Sequence, residues 1–252
     1  MRKQFFMTVL AVLSLCPIQA QRLQVMTYNI RHGEGMDEVI DYDRQAEVIR
    51  KSGAEVVAVQ EVDSATARVE GDDLLGELAS RLKMYPYFSA AIDYRGGKYG
   101  VGLLSKQPAQ RITRIPLPGR EEPRTLLVAE FADYVFCSTH LSLTPEDSEA
   151  SVAILREVAR QFKGKKPVLV AGDMNNEPGS PFTTELLRDF DVLNDMTIPT
   201  FPSDQPREMI DYVAVGKDAG VRVKVKKREV VADSMASDHR PVYLKLRLKT
   251  KF

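Results

Sequence analysis

Two histidines, four carboxylates and two side-chain amides in this 252-residue sequence stand at the ends of apolar runs or beside them: His140 and His239; Glu61, Asp173, Asp211 and Asp238; Asn29 and Asn175. Histidine titrates near neutral pH, and one carboxylate to orient it makes it a general base or acid. Of the six oxygen-bearing groups, five can surround a hard cation while one carboxylate orients a histidine. Oxygen donors with open water positions suit Mg²⁺ or Mn²⁺, and the two histidines leave Zn²⁺ open. No CxxC, HExxH, GxSxG or P-loop pattern occurs, so those chemistries have no support.

The elements that must position these groups can be read in order. Val168-Leu-Val-Ala-Gly172-Asp173-Met-Asn175 is an apolar run between turn signals, the pattern of a strand buried on both faces. Asp173 and Asn175 stand at its exit on one side, and Gly172 marks a bend or a close backbone approach. The same shape recurs in Leu23 to Asn29, in Glu55-Val-Val-Ala-Val-Gln60-Glu61 and in Tyr134-Val-Phe-Cys-Ser-Thr-His140. Asp211 stands near the start of a strand over Met209–Val215. Arg222 to Val231 reads as a lysine-rich edge strand, a composition that discourages edge-to-edge pairing. Asp43 is expected to cap a helix through Ser52, stopped by Gly53, and Thr144-Pro145-Glu146-Asp147 opens another. Gly96 to Gly100 is expected to be a mobile or tightly turned loop.

About ten strands and four helices, strands outnumbering helices, suggest two mixed sheets face to face with helices outside. There is no linker, low-complexity tract or clear repeat, so one domain is expected after a leader.

Each polar group alone has an ordinary explanation. Glu61 can begin a loop, Asp211 can cap or ion-pair, His140 can be a satisfied buried histidine, and Asn29, Asp173 and Asn175 can be turn residues. His32 lies in a Gly-rich loop and needs no function. Tyr99 can pack on its loop, and Arg124 is as well explained by an exposed ion pair as by phosphate binding. Joint placement at strand ends carries the functional reading.

Residues 1–20 read as a secretory signal cleaved after Ala20. Arg2 and Lys3 precede an apolar stretch from Phe5 to Leu15, too short to span a bilayer, with Pro17 and Ala20 after it. An exported protein, periplasmic or secreted, follows; Cys16 as a lipid-anchor cysteine is the weaker reading. Cleavage removes two of the 35 basic residues and none of the 35 acidic ones, so 33 − 35 gives a formal charge of −2. That argues against gripping long nucleic acid by charge alone, though not against a local basic groove. Cys137 is then the one remaining cysteine, so no intramolecular disulfide is available.

The blocks Thr27-Tyr-Asn29-Ile, Gln60-Glu61-Val-Asp63, Ser138-Thr-His140-Leu, Gly172-Asp173-Met-Asn175, Ile210-Asp211-Tyr-Val and Ser237-Asp238-His239-Arg-Pro together resemble the endonuclease/exonuclease/phosphatase superfamily, in its order. The resemblance implies a four-layer α/β sandwich of two mixed β-sheets and divalent-metal hydrolysis of phosphodiesters or phosphomonoesters, usually with Mg²⁺. It implies that Glu61 is the main metal carboxylate, helped by Asn29 and Asp238. Asp173 would orient or deprotonate the attacking water, with Asn175 on the phosphate. His239, oriented by Asp211, would contact the phosphoryl oxygens or act as base, and His140 would stabilise developing charge or help the leaving oxygen. His140 is similar to the branch with deoxyribonuclease I, neutral sphingomyelinases and inositol-phosphate phosphatases. Gly97-Lys-Tyr99-Gly100 and Glu122-Pro-Arg124-Thr-Leu resemble small secreted bacterial members, which would put Tyr99 and Arg124 in the pocket. A small or lipid-linked phosphate ester is the favoured substrate and a monomer the expected state. A nuclease of the same fold is the alternative, disfavoured because no tryptophan or basic-aromatic inserted loop offers a stacking platform. A non-catalytic binding module is the remote third reading.

Overall fold

The computed structural model describes residues 21–217 and 220–250; the expected signal segment, Cys16 included, lies outside them. In chain order the described residues form β1 (Gln21–Asn29), α1 (Tyr42–Ser52), β2 (Val56–Ser64), α2 (Leu74–Leu82), β3 (Tyr85–Tyr94), β4 (Gly97–Ser105), β5 (Arg111–Leu117), β6 (Arg124–Glu130), β7 (Val135–His140), α3 (Pro145–Gln161), β8 (Val168–Asp173), α4 (Pro181–Asp189), β9 (Phe190–Val192), β10 (Asp211–Gly216), β11 (Val221–Val230) and β12 (Val242–Thr250). They build two six-stranded sheets, ordered β11-β12-β1-β2-β4-β3 and β5-β6-β7-β8-β10-β9. Each sheet is mixed. β1 and β2 are parallel across α1, β7 and β8 are parallel across α3, and their other neighbours are antiparallel.

Alternation along the strands sorts three apolar layers. Leu23, Val25, Val56, Ala58, Leu169 and Val213 meet between the sheets. Met26, Tyr28, Val57 and Val59 face outward beneath α1 and α2. Val135, Cys137, Val170 and Tyr212 face outward beneath α3 and α4. The result is the four-layer sandwich, with helix, sheet, sheet and helix in turn. Cys137 is fully buried, and burial pushes its thiol pKa far up, so it is an inert core residue.

Several local expectations need correction. The cap of α1 is Asp41, whose carboxylate accepts from the amides of Asp43 and Arg44; Asp43 is already inside the helix. Gly53 closes that helix in the left-handed region at φ 74°. Thr144 precedes Pro145, but its hydroxyl donates to Glu121 at 3.0 Å and does not cap α3. The stretch 96–100 is mostly strand. Arg95 and Gly96 alone turn, and Gly97 and Gly100 belong to β4, where an added Cβ would stand 2.3 Å from the Ser64 carbonyl oxygen and 2.1 Å from that of Ser89. These glycines serve close strand approach, not loop freedom. β11 is an edge strand, as its lysines suggest.

Candidate active site

Strand direction alone brings the polar groups together. β1 ends beside β2 where the bulge of β2 begins, with Asn29 opposite Gln60. β7 and β8 end side by side, with His140 opposite Asp173. β10 runs antiparallel to β8 and begins at Asp211, opposite that same Asp173. β12 runs antiparallel to β1, so the residues just before it, Ser237-Asp238-His239, arrive beside Asn29. The Ser237 hydroxyl fixes that arrival by donating to the Asn29 carbonyl at 2.7 Å. Six of the ten residues singled out by sequence, Asn29, His140, Asp173, Asp211, Asp238 and His239, from both sheets, therefore gather at one end of the sandwich.

Asp173 is the hub. It is 1% exposed. Its Oδ2 accepts from Asn29 Nδ2 at 3.1 Å, and the Nε2 atoms of His140 and of His239 each lie 3.6 Å from it. At 3.6 Å neither histidine is hydrogen-bonded to the carboxylate. Both ring nitrogens instead stand at the same distance from one carboxylate oxygen. The other oxygen of Asp173 accepts the Asn175 amide at 3.0 Å. Asn175 takes a left-handed φ of 51°, and its Nδ2 donates to the Leu141 carbonyl at 2.9 Å.

His239 is oriented by Asp211, with Nδ1 2.9 Å from Asp211 Oδ2. That oxygen also accepts the Thr200 hydroxyl at 2.5 Å. The two histidines lie in opposite electrostatic settings. Burial opposes a charge on His239, but Asp211, Asp173 and Asp238 outweigh it and raise its pKa to about 10. Burial wins at His140 and lowers its pKa to about 4, Asp173 opposing and Arg124 assisting. One cationic and one neutral imidazole thus face the same carboxylate oxygen.

Glu61 occupies a bulge. Regular pairing of β2 with β4 breaks between Val59 and Val62, and Glu61 there adopts φ 57°. A non-glycine residue held in that region turns its side chain out of the strand's alternation, a device common at functional sites. Its Oε1 accepts from Asn29 Nδ2 at 3.1 Å. Burial raises the Glu61 pKa, and the carboxylates of Asp238 and Asp173 add to the rise against the Asn29 hydrogen bond. Glu61 thus feels the charge of two further carboxylates, and oxygen donors of this kind suit a hard divalent cation. Asn29 links the two sheets at this point. Its amide nitrogen bridges Glu61 and Asp173, while its oxygen accepts the Arg31 amide at 3.1 Å. A second grouping, Asp173, Asp211 and His239, has donor atoms within 4.8 Å of one another. The 2.9 Å His239–Asp211 contact already uses Nδ1 and one oxygen of that trio.

Tyr99 lies near enough to Glu61, and Arg124 near enough to His140, for their charges to be felt. Tyr99 lies on β4, opposite Asp63. Its ring is 6.0 Å from that of Tyr94, with the Arg68 guanidinium 5.6 Å from its centroid. Burial chiefly, then Glu61 and Glu122, raise its pKa. Arg124 is not exposed: it is 8% accessible, 3.2 Å from Glu122 and 3.5 Å from Glu121, with its Nε unpartnered. His32 stands apart, its Nε2 3.4 Å from Glu34. Thr200 is the functional neighbour that sequence reasoning missed; it lies in an irregular stretch where no periodicity or motif marks it.

The Endonuclease/Exonuclease/phosphatase family model matches residues 26–239. The chain belongs to this family, whose members are divalent-metal-dependent hydrolases of phosphate esters. Solved structures agree on the fold. An endonuclease/exonuclease/phosphatase from Bacteroides vulgatus superposes with TM-score 0.73 at 18% identity, over 91% of this chain and 100% of that one. A mannosyl-6-phosphatase from Bacteroides thetaiotaomicron gives 0.71 at 16%, over 89% and 99%. The catalytic domain of human Nocturnin, with bound sulfate, gives 0.65 at 15%, over 90% and 95%. No curated protein sequence matches the chain. Among the described residues no helix is long and apolar enough to cross a membrane.

Proposed function

We propose that this chain is an exported, Mg²⁺- or Mn²⁺-dependent phosphoesterase acting on a small or lipid-linked phosphate ester by in-line attack of water, with residues 21–252 as one catalytic domain. The observation that carries the reading is the convergence of His140 and His239 Nε2 on Asp173 Oδ2, each at 3.6 Å, beside the carboxylates of Glu61 and Asp238.

Glu61 and Asp238 are the residues that would hold the ion. Bound there, it supplies positive charge against the phosphoryl oxygens and the departing oxygen. Asp173, steadied by Asn29 and by the Asn175 amide, accepts the proton of the attacking water. His239, kept protonated and in register by Asp211 and Thr200, places an N–H against the phosphoryl group, where negative charge grows in the transition state. His140, uncharged at neutral pH, presents Nε2 toward the leaving oxygen. Asn175 and Tyr99 line the path of the phosphate, and Arg124 supplies a buried cation behind it. The Nδ1–Asp211 bond also keeps the His239 ring from turning, which favours the reaction by orientation.

The test is hydrolysis of bis-p-nitrophenyl phosphate beside p-nitrophenyl phosphate, with Mg²⁺, Mn²⁺ or EDTA, for the wild type and Asp173→Asn. Metal-dependent turnover that falls by about 10²–10⁴ in the variant is expected. Preference for the diester or the monoester assigns the substrate class. Turnover unaffected by EDTA, or kept by a folded Asp173→Asn, would sink the proposal. Rapid metal-dependent nicking of plasmid DNA would transfer it to the nuclease reading.

A further inference from the structure

Helices α1 and α2 cover the outer face of the first sheet over β1 and β2, through Ala46, Ile49, Leu75 and Leu78. The outer face of β11 and β12 carries a different surface. Leu244, Leu246 and Leu248 of β12 point into the core between the sheets, and Val221, Val223 and Val225 of β11 pack against it. By the two-residue period, the residues between them point outward. The register sets these outward residues directly opposite one another as Arg222 with Lys249, Lys224 with Arg247, and Lys227 with Lys245. Arg22 of β1 extends the second row, opposite Arg247, so three strands carry three cations in line. All seven are exposed. Glu229, which pairs with Lys227, is the acid among them, and none of the other six has an ion-pair partner among the described residues.

Like charges directly across a sheet oppose folding. Protection of an edge strand explains lysines on β11 but does not call for cations opposite them on β12, an interior strand, or for Arg22 on β1. The chain as a whole has no net formal charge, so this face is a local concentration. Such a field stabilises an anionic partner.

The surroundings choose among partners. A cleft of 640 Å³ between α1 and this face is lined by buried Val48 and Tyr243 as well as by exposed Lys51, Lys227 and Lys245. Glu47, Glu229 and Asp233 also line it, the first two paired with Lys51 and Lys227, and Lys245 has no such partner among the described residues. Met235, 48% exposed, also lines it. The Met235 carbonyl accepts the Met36 amide at 2.8 Å, tying it to the loop that carries exposed Val39 and Ile40. Exposed apolar side chains bordering a cationic surface are the composition of an interfacial lipid contact. Single-stranded nucleic acid would call for exposed aromatic rings on which bases stack, and Tyr243 is 3% exposed; a duplex would make no use of the exposed apolar side chains. We infer that the open β11–β12 face is a docking surface for an anionic phospholipid bilayer.

This inference does not rest on the catalytic reading, and its test is a binding measurement. The full chain is sedimented with vesicles of phosphatidylcholine, and with vesicles that also contain phosphatidylglycerol, at low and high salt. Binding to the anionic vesicles alone, released by salt, is expected. Lys224→Glu with Arg247→Glu should lower partitioning by at least about tenfold. It should not lower the melting temperature and should leave the hydrolysis of soluble nitrophenyl esters unchanged. The N-terminal apolar stretch is common to variant and wild type, so that comparison isolates the sheet. Equal binding to both vesicle types, no binding, or a variant that binds as the wild type does would overturn the inference. Tighter binding of duplex DNA than of vesicles, weakened by the same substitutions, would assign the face to nucleic acid instead. Should the protein hydrolyse no soluble ester, the melting temperature still reports an intact fold and the binding result stands.

Discussion

Thr200 shows what a single side chain adds to a site built mostly from strand ends. Its hydroxyl donates to the oxygen of Asp211 that also holds His239, and it is fully buried. Thr200→Val keeps the shape and removes one of two partners of that oxygen. A loss of about 1–3 kcal/mol in stability is expected, because the carboxylate stays buried. Turnover should fall with KM little changed, since the substitution loosens His239 and not a substrate contact. Steady-state kinetics and urea melts check both, and a variant with wild-type turnover would remove Thr200 from the positioning network. Glu121 is the second residue whose weight was invisible in sequence. Burial opposes its charge, yet donors from Ser142, from its own and the Leu143 amides and from Thr144 win, lowering its pKa to about 2. The folded pKa lies below the unfolded one. Its contribution is therefore complete above about pH 5 and is lost as pH falls toward 2. Glu121 is solvent-exposed and its interactions are screened, so Glu121→Gln should cost less than about 1 kcal/mol at pH 7, and the gap to the wild type should close in acid. A gap independent of pH would show that the carboxylate charge is not what ties this loop to residues 142–144.

At the scale of elements, the strands that end on His140 and Asp173 were legible because a short apolar run stopping at a polar side chain is a local pattern. Asp211 near the start of its strand was legible for the same reason. The bulge at Glu61 was not, since it exists only in the pairing of β2 with β4, and a partner strand leaves no mark in the run itself. Gly97 and Gly100 misled for a related reason: glycine signals a turn locally and a close approach only in context. β9, with three residues, is too short to show a period. Gly172 was read as a bend or a close approach, and the approach is what occurs. A Cβ there would sit 2.0 Å from the Thr139 carbonyl oxygen. Gly172→Ala must therefore push β8 from β7 at the pair of residues next to His140 and Asp173. A destabilisation of about 2–4 kcal/mol is expected. Activity should fall further than the folded fraction does, because both strand ends move. A melt and an assay on the same sample separate the two effects, and activity that simply tracks the folded fraction would show that the strand ends recover their spacing.

For the whole molecule, the acidic cluster sets function against stability. Glu61 comes from the first sheet, Asp173 from the second and Asp238 from the segment that closes the first, so their repulsion acts between the layers of the sandwich. A cation held there binds the folded chain and not the unfolded one, which lacks the arrangement, and so stabilises by mass action. At a concentration a hundredfold above Kd the gain is about 2.7 kcal/mol, a rise of roughly 5–10 °C in Tm for a domain of this size. Glu61→Gln removes one repelling charge and one ligand together. The variant should melt at or above the wild-type temperature in EDTA, and adding Mg²⁺ or Mn²⁺ should shift it little. A metal-site residue whose loss raises stability without metal and abolishes the response to metal behaves as a ligand; a residue that merely packs would lower stability in both conditions. If the wild type melts at the same temperature with EDTA and with either ion in excess, the cluster does not hold a divalent cation in the free protein, and the charge on Glu61 needs a different account.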